Sequence, residues 1–305
     1  MNLNEFENPK KSNVLFEFSD KLDFFINLYN QKKFPKILML TGKKGIGKFT
    51  LINHFLNFVF DKNYDQKNKT INTDSAMYKQ YLNNIFPNIV YLQGSHHQNI
   101  KIEDIRSLKT KIVKSTLLKD KRFIVLDDID LFNSNSVNAL LKSLEEPNLN
   151  DYFILINNMS KEIIETIHSR SIEFKIFLTN EKRLNIINSL IEKNNLEVLI
   201  ETEHSYLTPG NFMLLNNLCK ENKINLHEDF TINLGILLNL YKKKKDINFV
   251  NLLLFLTDIY FLKSKDKNNL NIEKIIENKS FVISNIDKFL TYNLNQNAVI
   301  DVINR

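Results

Sequence analysis

The chain is poor in cysteine, in glycine and in long apolar runs, and each shortage narrows what it can be. A single cysteine, Cys219, among 305 residues excludes an intrachain disulfide and any zinc site built from several cysteines. A reducing, cytoplasmic setting is expected. No apolar stretch reaches the ~20 residues needed to cross a bilayer, because charges interrupt every candidate, so no membrane partner is expected. The opening Met1-Asn2-Leu3-Asn4-Glu5-Phe6-Glu7 carries acids and lacks the apolar segment of a secretory leader. Hydrophobic residues at 43% and charged residues at 25% set aside a disordered chain, and the length allows about two or three domains.

Charge of one sign is only mildly in excess. The net charge of +6 permits contact with nucleic acid without demanding it. Asn, Lys and Ile are abundant, as an AT-rich genome dictates, so isolated lysines carry no functional signal. Lys242-Lys243-Lys244-Lys245 reads either as a solvated helix end or as a contact to a DNA backbone.

The six glycines are not evenly spread: Gly42, Gly45 and Gly47 fall within six residues. The apolar run Ile37-Leu38-Met39-Leu40 precedes them as a buried strand. After them, Leu51, Ile52, Phe55, Leu56 and Val59 recur at helical spacing over Thr50–Phe60. Further strands are predicted at Asn88–Leu92, Phe123–Leu126, Tyr152–Ile156 and Ile172–Ile176. Helices are predicted at Glu103–Lys114, Ser134–Glu146 (ended by Pro147) and Ile163–Ser169. Asp61–Lys79 is polar and lacks periodicity, which predicts an exposed insertion. Alternating strands and helices predict a parallel sheet covered on both faces. Beyond Thr179 only helices are predicted: Glu181–Asn194, Asn211–Cys219, and a helical bundle from about Leu226.

Gly42-Lys43-Lys44-Gly45-Ile46-Gly47-Lys48 between a strand and a helix is the arrangement that binds a triphosphate. Backbone N–H groups and the helix N-terminus face the phosphates, and Lys48 supplies a point charge. The usual pattern continues with a Ser or Thr hydroxyl for Mg²⁺. Here Phe49 follows, and Thr50 comes one residue late, rotated by ~100° around the helix. Phosphate binding and a phosphate-loop backbone kept as structure are both open readings. Asp127, at the end of the third strand, suits water-mediated Mg²⁺ ligation or a turn cap. Asp128 stands where an active ATPase has a water-polarising Glu, and its shorter stem retracts the carboxylate by more than ~1 Å. Asp130 reads as a cap, Cys219 as a small core residue, and His96-His97 as exposed loop residues. Asn157 or Asn158 ends the fourth strand where a polar residue can read phosphate.

Asn138-Ala139-Leu140-Leu141-Lys142-Ser143-Leu144-Glu145-Glu146-Pro147 resembles the helix after the acidic strand in clamp-loader AAA+ proteins. Ser169-Arg170-Ser171 resembles that family's Ser-Arg-Cys motif. Ile102–Leu108 resembles its segment before the acidic strand, and Leu207-Thr208-Pro209-Gly210-Asn211 its Ser-Pro-Gly-Arg element. The resemblance spans about Phe34 to Phe177, with the weaker trace at Leu207–Asn211. It implies an α/β RecA-like AAA+ domain with a parallel sheet over 1–178, a small helical lid over 179–222, and an all-α collar domain over 223–305.

It also implies an accessory member of a bacterial DNA polymerase III clamp loader. Phe49, Asp128 and Asn211 depart from the ATPase pattern, while Arg170 matches the arginine that acts on a neighbour's ATP in trans. The implied partners are the δ and motor (γ/τ) subunits, with the sliding clamp and primer–template DNA reached through the complex. ATP and Mg²⁺ would bind, if at all, at Gly42, Gly45, Gly47, Lys48, Thr50 and Asp127. No zinc is expected, since the four-cysteine module of many family members is missing, and no polymerase activity is expected. A motor-type active ATPase is the competing reading. A DNA-binding module driven by basic residues is a third, supported only by the small net charge.

Overall fold

The computed structural model describes residues 9–94, 121–202, 206–267 and 272–303. Five parallel strands form one sheet: β1 (Ile37–Thr41), β2 (Ile89–Gln93), β3 (Arg122–Asp127), β4 (Asp151–Asn157) and β5 (Ile172–Lys175), in the order β2-β3-β4-β1-β5. Every pairing is parallel, so each return runs through a crossover. All five predicted strands are present. Register sets Thr41 beside Asn157 and Asp127 beside Ile156. The carboxyl ends of β3, β4 and β1 therefore stand in a row, and the phosphate loop, the acids and the polar strand end all leave the sheet at that edge. This is the RecA-like AAA+ arrangement.

Alternation along the strands divides the core into two layers. Leu38, Leu40, Phe123, Val125, Ile154 and Ile156 face α1 (Ser19–Asn30) and α2 (Lys48–Phe60). Aromatic rings fill that layer, with Phe34 stacked on Phe55 at 4.7 Å and Phe55 edge-on to Phe123 at 5.7 Å. On the opposite face Ile37, Met39, Ile124, Leu126, Phe153 and Leu155 meet α4 (Ser134–Glu145) and α5 (Glu165–His168). Asn133 caps α4, its side chain accepting from Ser136 N at 2.8 Å. Val137, Leu140 and Leu144 of α4 are buried. Each contributes up to ~1.5–3 kcal/mol by leaving water.

Two stretches differ from the sequence expectation. Helix α1 is not among the predicted elements, and it buries only Leu22, Phe25 and Ile26. Asp61–Lys79 is not wholly exposed: Ile71 is buried, and α3 (Ala76–Leu82) begins inside it and buries Met77, Tyr78 and Tyr81. The reason is tertiary. The buried Lys10 amine donates to Tyr81 O and lies 4.4 Å from the Tyr81 ring, and Tyr78 OH donates to Lys10 O. The predicted helix at Glu103–Lys114, the Ile102–Leu108 segment and His96-His97 lie outside the described residues.

Contacts divide the chain into two compact units, one of Met1–Leu190 with Thr208–Asn211, the other of Ile191–Leu207 with Phe212–Arg305. Helix α6 (Asn180–Asn194) and helix α7 (Pro209–Asn222) each have residues in both units. The second unit continues through α8 (Phe230–Lys244), α9 (Ile247–Lys267), α10 (Ile272–Tyr292) and α11 (Gln296–Ile303), all helical as the periodicity predicts. Its core includes Leu234, Leu237, Phe249, Leu252, Ile286 and Phe289. The lysine run closes α8: Lys244 Nζ donates to Asn222 Oδ1 at 2.8 Å, and Lys245 lies over the Tyr241 ring. Positive charge there also complements the negative C-terminal end of the helix dipole.

Candidate functional site

The phosphate loop turns where glycine permits it. Gly45 and Gly47 hold φ of +80° and +99°, and Gly47 leads directly into α2. Gly45 has a second reason to lack a side chain. A carbon added there would lie 2.5 Å from Thr208 Oγ1 and 3.0 Å from Asn211 N. The Thr208–Asn211 segment is thus pressed onto the loop backbone. Thr208 Oγ1 donates to Lys44 O at 2.8 Å, and Gly210 N donates to Gly45 O at 2.8 Å. Gly42 N, at the loop's start, donates to Asn157 O.

Lys48 is buried and its amine donates to Gly42 O at 2.5 Å and Lys43 O at 2.8 Å. Burial lowers its pKa to about 8, against the pull of Asp127, Asp130 and Asp128. Two positive-φ glycines, a helix N-terminus and this lysine fit a phosphate group. The Mg²⁺ part fits less well. Phe49 is buried with its ring edge-on to Tyr91 at 5.1 Å, so an apolar side chain fills the position where the hydroxyl is needed. Thr50 sits half-buried one residue further along α2. Among the described residues, no group of three or more His, Cys, Asp or Glu is placed to hold a metal ion.

The acids at the end of β3 are occupied in different ways. Asp127 is buried and accepts from Tyr91 OH at 3.0 Å and from Asp128 N at 2.9 Å. Burial and the Asp128 charge raise its pKa to about 6. Asp128 is 1% exposed and sits in the left-handed region at φ 53°. Asn158 Nδ2 donates to its Oδ1 at 2.6 Å, and Lys44 Nζ lies 3.5 Å from the same oxygen. Of the two strand-end asparagines it is Asn158 whose side chain reaches this acid, while Asn157 Oδ1 accepts from Met159 N. Asp130 caps the turn after β4, accepting from Asn158 N and Ser160 N.

The Asp127 shift has a measurable consequence. Its folded pKa of about 6 exceeds the ordinary 3.8, so the ionised native form is disfavoured above pH 6. That penalty fades as pH falls from 6 towards 3.8. Asp127→Asn can keep both contacts, its oxygen accepting from Asp128 N and its amide donating to the Tyr91 oxygen. It is expected to stabilise the protein by ~1–3 kcal/mol at pH 7–8. The advantage should shrink below pH 6 in urea melts taken across pH. An equal gain at acid pH would refute the electrostatic cause.

Arg170 follows α5 and is one-third exposed. Its Nη1 donates to Thr166 O at 2.8 Å and Ser169 Oγ at 3.3 Å, and its Nη2 to Glu145 Oε1 at 2.6 Å. Arg170 is not brought to the phosphate loop's own lysine and acids; its hydrogen-bond partners among the described residues lie on α4 and in or just after α5. Cys219 is buried, and its thiol is pushed up to about 12.

The sequence model of the family described as DNA polymerase III, delta subunit, matches residues 19–179, more than half of the chain. The chain belongs to this family. Among its relatives is the DNA polymerase III subunit delta' of Buchnera aphidicola subsp. Baizongia pistaciae (strain Bp), 24% identical over 251 residues. That match covers 70% of this chain and 74% of the relative. The DNA polymerase III subunit gamma of Buchnera aphidicola subsp. Acyrthosiphon pisum (strain APS) is 26% identical over 48% of this chain and 39% of its own length. A solved DNA polymerase III gamma subunit-related protein from Thermotoga maritima aligns over 92% of this chain and 97% of its own, with 16% identity and TM-score 0.48. That likeness adds nothing to what the strand order shows. The chain is a clamp-loader component of DNA polymerase III. Within this family member the sequence singled out Lys48, Asp127, Asp128 and Arg170, but not the partners Tyr91, Lys44, Glu145 and Thr208. Lys44 lies inside the glycine loop, Glu145 inside the Asn138–Pro147 motif and Thr208 inside the Leu207–Asn211 element, whereas Tyr91 carried no signal beyond its place in a predicted strand.

Proposed function

We propose that the chain is the δ′-type accessory subunit of a bacterial DNA polymerase III clamp loader, and that it offers Arg170 to ATP bound by a neighbouring subunit. One contrast carries this reading. Arg170 is presented at the surface with N–H donors to spare, while Asp128 is engaged by Asn158 and Lys44. A carboxylate committed to two cationic or amide donors is a poor base for water. Phe49 supplies no oxygen to a metal ion. Hydrolysis by this chain itself is therefore weak or absent, and any nucleotide is held by the Gly42–Lys48 loop with Asp127 and Thr50 nearby. ATP with Mg²⁺, when bound, supplies the phosphoryl group whose transfer a trans arginine accelerates.

In this reading residues 1–178 form the RecA-like domain, 179–222 the lid, and 223–305 a collar that assembles with sister subunits. The δ and γ/τ subunits are direct partners. The sliding clamp and primed DNA are reached through the complex, in the cytoplasm. Affinity purification from native cells with mass spectrometry is expected to recover δ and the motor subunit. Recovery of neither, under conditions that preserve weak complexes, would count against the assignment.

The competing reading, a motor-type ATPase, is favoured by the intact turn geometry at Gly45 and Gly47 and by the buried Lys48. It requires ATP turnover by the isolated chain, abolished by Lys48→Ala.

A further inference from the structure

We propose that Glu145 is a positioning residue for Arg170, setting the direction in which the arginine's remaining N–H groups face a neighbouring subunit. The inference rests on the reading of Arg170 as a trans-acting group.

A guanidinium carries five N–H donors in one plane. Two of the anchors of Arg170, Thr166 O and Ser169 Oγ, lie in or just after its own short helix α5, and both take Nη1. Held by these alone, the plane can still swing about Nη1. The third anchor comes from a different element. Glu145 is the last residue of α4, and its Oε1 takes Nη2 at 2.6 Å. Contacts from two elements define the plane. Nε has no acceptor among the described residues, so that edge remains available to a phosphate oxygen. An arginine already oriented loses less rotamer freedom when it engages an anion. Helix α4 is also the element that follows Asp127 and Asp128, through the turn Ile129–Leu131 and the cap at Asn133. Through that turn and helix α4 the acidic strand end is joined to the element that holds the surface arginine.

The test uses the assembled clamp loader with primed DNA and measures ATP hydrolysis at the site Arg170 faces, resolved from the other sites by single-turnover kinetics. Glu145→Ala is expected to lower kcat about three- to tenfold with KM for ATP changed less than about twofold, as for a displaced rather than missing group. Glu145→Gln keeps an oxygen acceptor on the same stem and is expected to retain at least about half of the rate. The double variant Glu145→Ala/Arg170→Ala is expected to match Arg170→Ala alone, because a positioning residue has no effect without its target. Unchanged or raised kcat in Glu145→Ala would overturn the proposal, as would a double variant slower than Arg170→Ala. If Arg170→Ala is itself silent, the trans-acting reading fails and takes this inference with it. If Arg170→Ala is slow but Glu145→Ala runs at full rate, only the positioning role falls. Should Glu145→Ala fail to assemble, Glu145→Asp withdraws the carboxylate by one methylene; a partial loss of kcat supports the proposal, and full activity overturns it.

Discussion

With Arg170 replaced by alanine, ATP hydrolysis at the site it faces in the assembled complex is expected to fall by at least ~100-fold. An arginine that reaches the transferring phosphoryl group in trans neutralises charge that appears only in the transition state, and such groups are worth about 10³–10⁵ in rate. Total DNA-stimulated turnover should fall less, since sites not facing Arg170 keep their own arginines. Folding should survive. The pair with Glu145 is partly exposed on both sides, at 32% and 46%, and such pairs contribute ~0–1 kcal/mol. The measurements are single-turnover hydrolysis in the reconstituted complex and size-exclusion chromatography for assembly. Full hydrolysis by an assembled Arg170→Ala complex would remove the trans role.

The largest expected effect on stability lies at the opposite end of the sheet. Arg122 opens β3 and Asp151 opens β4, and both are under 5% exposed. The guanidinium grips the carboxylate at two points, Nε to Oδ1 at 2.9 Å and Nη2 to Oδ2 at 2.7 Å. Asn148 Nδ2 adds a third donor at 2.8 Å. Removing one partner strands the other charge in the interior, which costs ~3–5 kcal/mol. Arg122→Ala is therefore expected to lower Tm by roughly 10 °C in a calorimetric scan. Replacing both residues by apolar ones of similar volume should restore most of that loss. A Tm within about 2 °C of the parent for Arg122→Ala would show that water reaches the orphaned carboxylate.

Local pattern carried much of the fold. The strands are short apolar runs bounded by polar residues, and helices such as α4 repeat their apolar residues at helical spacing, so each is written in neighbouring residues. The phosphate loop was legible because three of six glycines sit together, and positive φ at Gly45 and Gly47 is what that clustering encodes. Where the reading fell short, the deciding contact came from far along the chain. Segment 61–79 looks polar and aperiodic, yet Ile71, Met77 and Tyr78 bury, the last donating its hydroxyl to Lys10 O. Gly45 looks like a turn glycine, yet Thr208 presses on it as well.

The sequence by itself determined the strand–loop–helix order, the clustering of acids after β3, the missing hydroxyl at Phe49 and the surviving Arg170. The first three follow from composition and spacing, which act between near neighbours, while Arg170 was marked by the resemblance of Ser169-Arg170-Ser171 to the family's motif. The tertiary structure decided what those groups touch. It gave Asp127 to Tyr91, Asp128 to Asn158 and Lys44, and Arg170 to Glu145. Parallel crossovers bring the ends of β3, β4 and β1 into one row, and no periodicity in the chain encodes which polar side chains meet there. A charge's partner depends on strand order and register, because desolvation and hydrogen bonding act over ångströms in space whatever the separation along the chain.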